Sequence, residues 1–191
     1  LSSTPSTLID PNAILSGTLL VNNTGTMTGY MILSDEDTTF NNVSFNSFNL
    51  RNFTDADNDR VRDTKSVAIS DFGGGNDVFN NQTSGSLRLS AVNTELHTDT
   101  TGEYLVSGAL STANKGTVQG QLLNLNRFVN SGLIDLTENN QAGDVLIISG
   151  GSTAGAYGGA QYISNGGTLA LDTVLNEGGV NSLSDILVLD D

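Results

Sequence analysis

Cysteine and tryptophan are absent from this 191-residue chain, lysine and proline each occur twice, and histidine occurs once. Each gap excludes something. Without cysteine there is no disulfide framework and no thiolate metal site, which suits a reducing compartment or a bacterial protein exported free of premature disulfides. Without tryptophan the usual stacking platform for sugars is missing. No apolar run approaches the ~18 residues of a spanning helix, and no signal-peptide pattern opens the chain. The few cations face 21 acidic residues, giving a net charge of −14. Such a surface repels phosphate backbones and anionic lipid, so it argues against nucleic acid as a partner and against insertion of this segment into a membrane.

What is abundant points to strands. Glycine and asparagine each occur 22 times, and valine, isoleucine, threonine and serine are plentiful. Helices lose stability at glycine and at β-branched positions, whereas short strands joined by tight turns use both.

A phrase recurs along the chain. Met31–Asn42 (MILSDEDTTFNN) is echoed by Ala68–Asn81 (AISDFGGGNDVFNN) and more faintly by Leu122–Gly132 (LLNLNRFVNSG). Each copy carries an apolar strand, a polar stretch, and then phenylalanine with asparagine close behind: Phe40, Phe79 and Phe128. Other strand-sized runs, among them Val43–Phe53 and Ser86–Val92, fill the intervals without a helical segment. This pattern predicts a coil of strands in which each unit buries its apolar face only against a neighbour. At roughly 20–25 residues per coil it predicts about eight coils. Phe40, Phe79 and Phe128 are then a core ladder, and the asparagines that follow occupy turns and bond the next coil. A β-sandwich is the alternative, but its hairpin dipeptides are scarce: Asp-Gly is absent and Asn-Gly occurs once, at Asn165–Gly166.

Three motifs bear on chemistry. In Asp55–Asp63 (DADNDRVRD), Asp55, Asp57, Asp59 and Asp63 copy the oxygen spacing of a calcium loop, so calcium is the candidate cofactor. Arg60 stands where such a loop wants glycine, and Ser66 where it wants the bidentate glutamate. The alternative is a solvated, protruding loop whose aspartates are neutralised by Arg60 and Arg62. Gly73–Phe79 (GGGNDVF) reads as a turn capped by Asp77, because it lacks the tandem repetition a calcium nonapeptide needs. His97 lies in a polar stretch and reads as a surface residue. No carboxylate pair stands out by spacing for glycoside cleavage.

From about Leu125 onward the sequence resembles the C-terminal part of pertactin-like autotransporter passenger domains. The matching elements are Phe128–Ile134 (FVNSGLI), Gly143–Gly150 (GDVLIISG), Gly167–Asp172 (GTLALD) and Ser184–Leu189 (SDILVL). The resemblance implies an all-β, right-handed parallel β-helix with a less regular C-terminal capping region. It also implies export across a Gram-negative outer membrane by a barrel beyond this segment, placing the chain at the cell surface or in the medium. Residues 1–124 are then coils with a protruding acidic loop near 54–65, and 125–191 are the C-terminal coils and folding nucleus of one continuous solenoid. In that nucleus Leu169 and Leu171 face inward and Ile186, Leu187 and Leu189 pair beside them, with 176–184 supplying the reversal and Asn165–Gly166 a local hairpin.

The expected function is that of an adhesin or its stalk, not an enzyme. Its partners would be host matrix protein, host glycan or a second copy of itself. The alternative is a β-helical hydrolase of polysaccharide or ester.

Overall fold

The computed structural model describes residues 17–43, 45, 47–50, 53–54, 63–64, 68–89, 95–99, 102–106, 117–137, 142–151, 159–175 and 182–190. These residues form strands and turns with no helix among them. The strands wind through five successive coils. The first holds β1 (Thr18–Asn23) and β2 (Thr26–Gly29). The second holds β3 (Asp37–Asn42), β4 (Ser47–Leu50), β5 (Phe53–Thr54), β6 (Asp63–Thr64) and β7 (Ala68–Asp71). The third holds β8 (Val78–Asn81), β9 (Ser86–Leu89), β10 (Glu95–Asp99), β11 (Gly102–Val106) and β12 (Gln119–Leu123). The fourth holds β13 (Arg127–Asn130), β14 (Leu133–Asp135) and β15 (Val145–Ser149). The fifth holds β16 (Gln161–Ser164), β17 (Thr168–Ala170), β18 (Thr173–Val174), β19 (Leu183–Ser184) and β20 (Ile186–Asp190).

Equivalent strands stack into three parallel sheets, which are the faces of a β-helix. The first face runs β1-β3-β8-β13-β16, the second β2-β4-β9-β14-β17, and the third β7-β12-β15-β20. An isolated parallel bridge from Ile32 to Asp71 extends the third face to the first coil. The ladders cross residue 124 without interruption, since β12 and β13 each pair with strands on both sides.

The recurring phrase aligns residue for residue. Phe40, Asn41 and Asn42 pair with Phe79, Asn80 and Asn81, which pair in turn with Phe128, Val129 and Asn130. The three phenylalanines are fully buried, their rings stacked at 4.7 and 4.9 Å, and Tyr162 continues the stack from Phe128 at 5.9 Å. Phe48, Leu87 and Ile134 line the second face, and Leu122, Leu146 and Ile148 the third; all six are buried. Strand periodicity explains this, because alternate side chains point into the coil.

Four expectations are corrected. The described residues form five coils rather than the expected eight, because equivalent asparagines lie 19, 39 and 49 residues apart. The asparagines after the phenylalanines end strands instead of forming left-handed turns; among the described residues the non-glycine positions with positive φ are Phe45, Ser84 and Asn124. Asn165–Gly166 makes no hairpin, since β16 and β17 belong to different faces and pair in parallel with β13 and β14. Likewise Ile186–Leu189 pairs with Val145–Ile148, not with the Leu169 run.

Register places Leu169 over Ile134, Leu187 over Leu146 and Leu189 over Ile148, so these leucines extend the inward ladders. Yet Leu169, Leu171 and Leu189 are 38%, 39% and 50% exposed, because no described residue covers the fifth coil. Ile186, also 50% exposed, sits over the outward position of Val145. Among the described residues at this end, the departure from parallel stacking is the β18–β19 hairpin.

Candidate functional site

The corner between the second and third faces differs from the other two. In the first coil only Tyr30 and Met31 separate β2 from the bridge residue Ile32. In the second, third and fifth coils the chain leaves here and returns through antiparallel pairs: β5–β6 after β4, β10–β11 after β9, and β18–β19 after β17. Among the described residues, every antiparallel pair lies at this corner. Hairpins tolerated at one edge of a solenoid leave the stacked faces intact, which is how such folds carry variable surface.

The candidate calcium residues belong to the first hairpin. Asp63 opens β6, its backbone opposite Thr54, while Asp55, Asp57 and Asp59 lie outside the described residues. Among the described residues no group of three or more histidines or carboxylates could hold a metal ion. His97 is in β10, its backbone opposite Tyr104 in β11, so it belongs to a hairpin strand.

Carboxylates recur at strand starts, a pattern sequence reasoning missed. Asp77 accepts the Thr38 amide at 2.8 Å, Asp144 the Val118 amide at 2.7 Å, and Asp185 the Gly143 and Asp144 amides at 2.9 and 3.0 Å. Each residue directly precedes a β-branched residue that begins a strand: Val78, Val145 and Ile186. At a corner the backbone turns away from the ladder, and a side-chain oxygen from the next coil satisfies the amide left behind. The signal was legible as Asp-Val or Asp-Ile ahead of an apolar run.

Asp77 therefore caps the coil below, where the sequence suggested that it caps its own glycine turn. That turn is held by others: Asp71 accepts the Gly73 amide, Asp35 the Gly74 amide and Asp37 the Asn76 amide. Gly73, at φ 77°, lies so close to the coil below that a Cβ would meet the Ser34 carbonyl oxygen at 2.3 Å. The turn borders a 320 Å³ cleft lined by Asp35, Asp71 and Asn124. Asp71 Oδ1 accepts from the Gly73 amide and from Asn124, and Asp35 Oδ1 from the Gly74 amide, so the two carboxylates staple the turn. Asp77 is fully buried, and its Oδ2 has no partner. Burial pushes its carboxyl up from 3.8 to about 6, hydrogen bonds from Thr38 oppose the rise, and the charges of Asp37 and Asp71 add to it.

Compared with known proteins, the chain matches no family model, no curated protein and no solved structure.

Proposed function

We propose that this chain is an adhesive segment, or the stalk presenting one, of an autotransporter passenger at a Gram-negative cell surface. The assignment to that class rests on the resemblance running from Phe128 to Leu189 and on the parallel β-helix. The adhesive role rests on one observation: the inserted hairpins gather at a single corner while the three faces stay in register. A rigid prism with variable hairpins along one edge offers an extended contact surface.

Partners are matrix protein, glycan or a second copy of the chain. The test screens the intact chain against immobilised matrix proteins, a glycan array and itself. It is repeated after residues 51–67 and 90–117 are each replaced by a short crossing like Tyr30–Met31. Loss of binding to at least one of these partners, with unchanged β circular dichroism, is expected. A trimmed chain that binds every one of them undiminished, or an intact chain that binds none, overturns adhesion through the hairpins.

A further inference from the structure

Phe45 is the one large aromatic side chain that the described fold leaves in solvent, at 90% exposure. Its backbone is also strained, at φ 64°. Bulky residues avoid that region, and fully exposed rings gain nothing from burial. The fold does not require the ring there. One coil on, the same corner position is filled by Ser84, also at φ 64°, and its carbonyl accepts the Phe45 amide at 3.0 Å. The corner itself takes the positive φ, as Ser84 shows, but not the aromatic ring; a bulky, exposed ring kept at a position that strains it points to a ligand contact.

Beside the ring is a groove of 450 Å³, within the ~300–1,000 Å³ of small-ligand sites. The outward ladder Ser47, Ser86 and Leu133 lines it together with Arg88. Arg88 Nε stands 3.9 Å from the Asp135 carboxylate, so the one cation among the described residues lining the groove is balanced by an anion.

We propose that this groove binds an uncharged pyranose unit of a glycan. A pyranose has a flat face of C–H groups and a rim of hydroxyls that both donate and accept. The C–H face matches the Phe45 ring, and the rim matches the serine hydroxyls and the Arg88–Asp135 pair. The balanced charge of the groove, on a chain of net charge −14, disfavours carboxylated and sulfated sugars. This site lies between the first and second faces, away from the hairpin corner, and does not rest on the hairpins.

The test is an array of neutral oligosaccharides ending in glucose, galactose, mannose or N-acetylhexosamine, probed with the intact chain and with Phe45→Gly. Binding is expected to fall at least tenfold in Phe45→Gly while its melting temperature holds or rises, because glycine adopts positive φ freely. A merely structural Phe45 would instead lower the melting temperature. The proposal is overturned if the intact chain retains no neutral glycan at millimolar concentration or if Phe45→Gly binds equally well. It is also overturned if the substitution changes sedimentation but not glycan binding, which would assign the ring to a contact between copies. The hairpin-trimmed chain should keep Phe45-dependent glycan binding, so the two readings fail separately.

Discussion

Asn42 gives one amide hydrogen to the side-chain oxygen of Asn81, 3.0 Å away, and the other to the Ser86 carbonyl at 2.9 Å. The arrangement repeats at every level. Asn23 donates to Asn42 and the Ser47 carbonyl, and Asn81 to Asn130 and the Leu133 carbonyl. Asn130 ends the run by donating to the Tyr162 hydroxyl and the Thr168 carbonyl. A second, more exposed ladder joins Asn22, Asn41 and Asn80. The inner amides bind each coil to the next and fill the corner where the backbone ladder lapses.

Removing one inner rung should cost much more than removing an outer one. Asn81→Ala leaves the Leu133 carbonyl without its donor and strips Asn42 and Asn130 of a partner inside the core. At roughly 1–3 kcal/mol per orphaned buried group, a loss of 2–5 kcal/mol is expected. Asn80→Ala breaks bonds that water can replace and should cost about 1 kcal/mol or less. Urea midpoints of the two variants decide it, and equal losses would remove the ladder's special role.

The ring stack predicts a cavity. Phe79 touches Phe40, Phe48, Phe72 and Phe128, with ring centroids 4.7 to 6.3 Å away. Phe79→Ala should therefore lower stability by about 3–5 kcal/mol. A loss below 1 kcal/mol in equilibrium unfolding would contradict a packed stack.

The first face was legible because its phrase is distinctive: phenylalanine and asparagine at fixed offsets encode a core ring and a polar rung together. The second and third faces were not, since strands such as Ser47–Leu50 and Leu133–Asp135 are too short to show a period. Val43–Phe53 reads as one strand, yet positive φ at Phe45 interrupts it, Ser47–Leu50 joins the parallel second face and Phe53 opens the antiparallel β5. Coil number was hidden by the hairpins, which stretch one repeat far beyond another. Phe45 escaped notice as a site because exposure of a ring is a tertiary fact that alternation cannot supply.

Asp77 should make the fold more stable in mild acid than at neutrality. Its folded pKa of about 6 exceeds the ordinary 3.8, so its protonated form is favoured by folding. That contribution is complete below pH 4 and is lost as pH rises through 6, at roughly 1.4 kcal/mol for each pH unit between the two values. Asn126 fills the matching position one coil on and accepts the Asp77 amide at 2.7 Å, so an amide fits this corner. Asp77→Asn should therefore raise stability at pH 7.5 by a few kcal/mol and leave it nearly unchanged at pH 4. Unfolding curves at the two pH values check this; a variant weaker at both would mean the carboxylate is favourable as a charge.

Asp185 should hold the fifth coil to the fourth. It is 3% exposed and serves three amides: Oδ1 accepts those of Gly143 and Asp144, and Oδ2 that of Asp172 at 2.6 Å. Its own amide donates to the Asp172 carbonyl, closing the base of the β18–β19 hairpin. One carboxylate thus joins two coils and a hairpin. Asp185→Ala orphans all three amides, and at about 1.5–3 kcal/mol for each bond to a charged group the loss should be at least about 4–5 kcal/mol. Asp185→Asn keeps one oxygen for Gly143 and Asp144 but turns an N–H toward the Asp172 amide, so about half that loss is expected. Because the fifth coil stacks on one neighbour only, the damage should be local before it is global. Hydrogen exchange should quicken at Gly143, Asp144 and Asp172 and along β20, while Phe79 and Asn81 keep their protection. Unchanged exchange at those three amides in Asp185→Ala would show that strand pairing with β15 alone secures the coil.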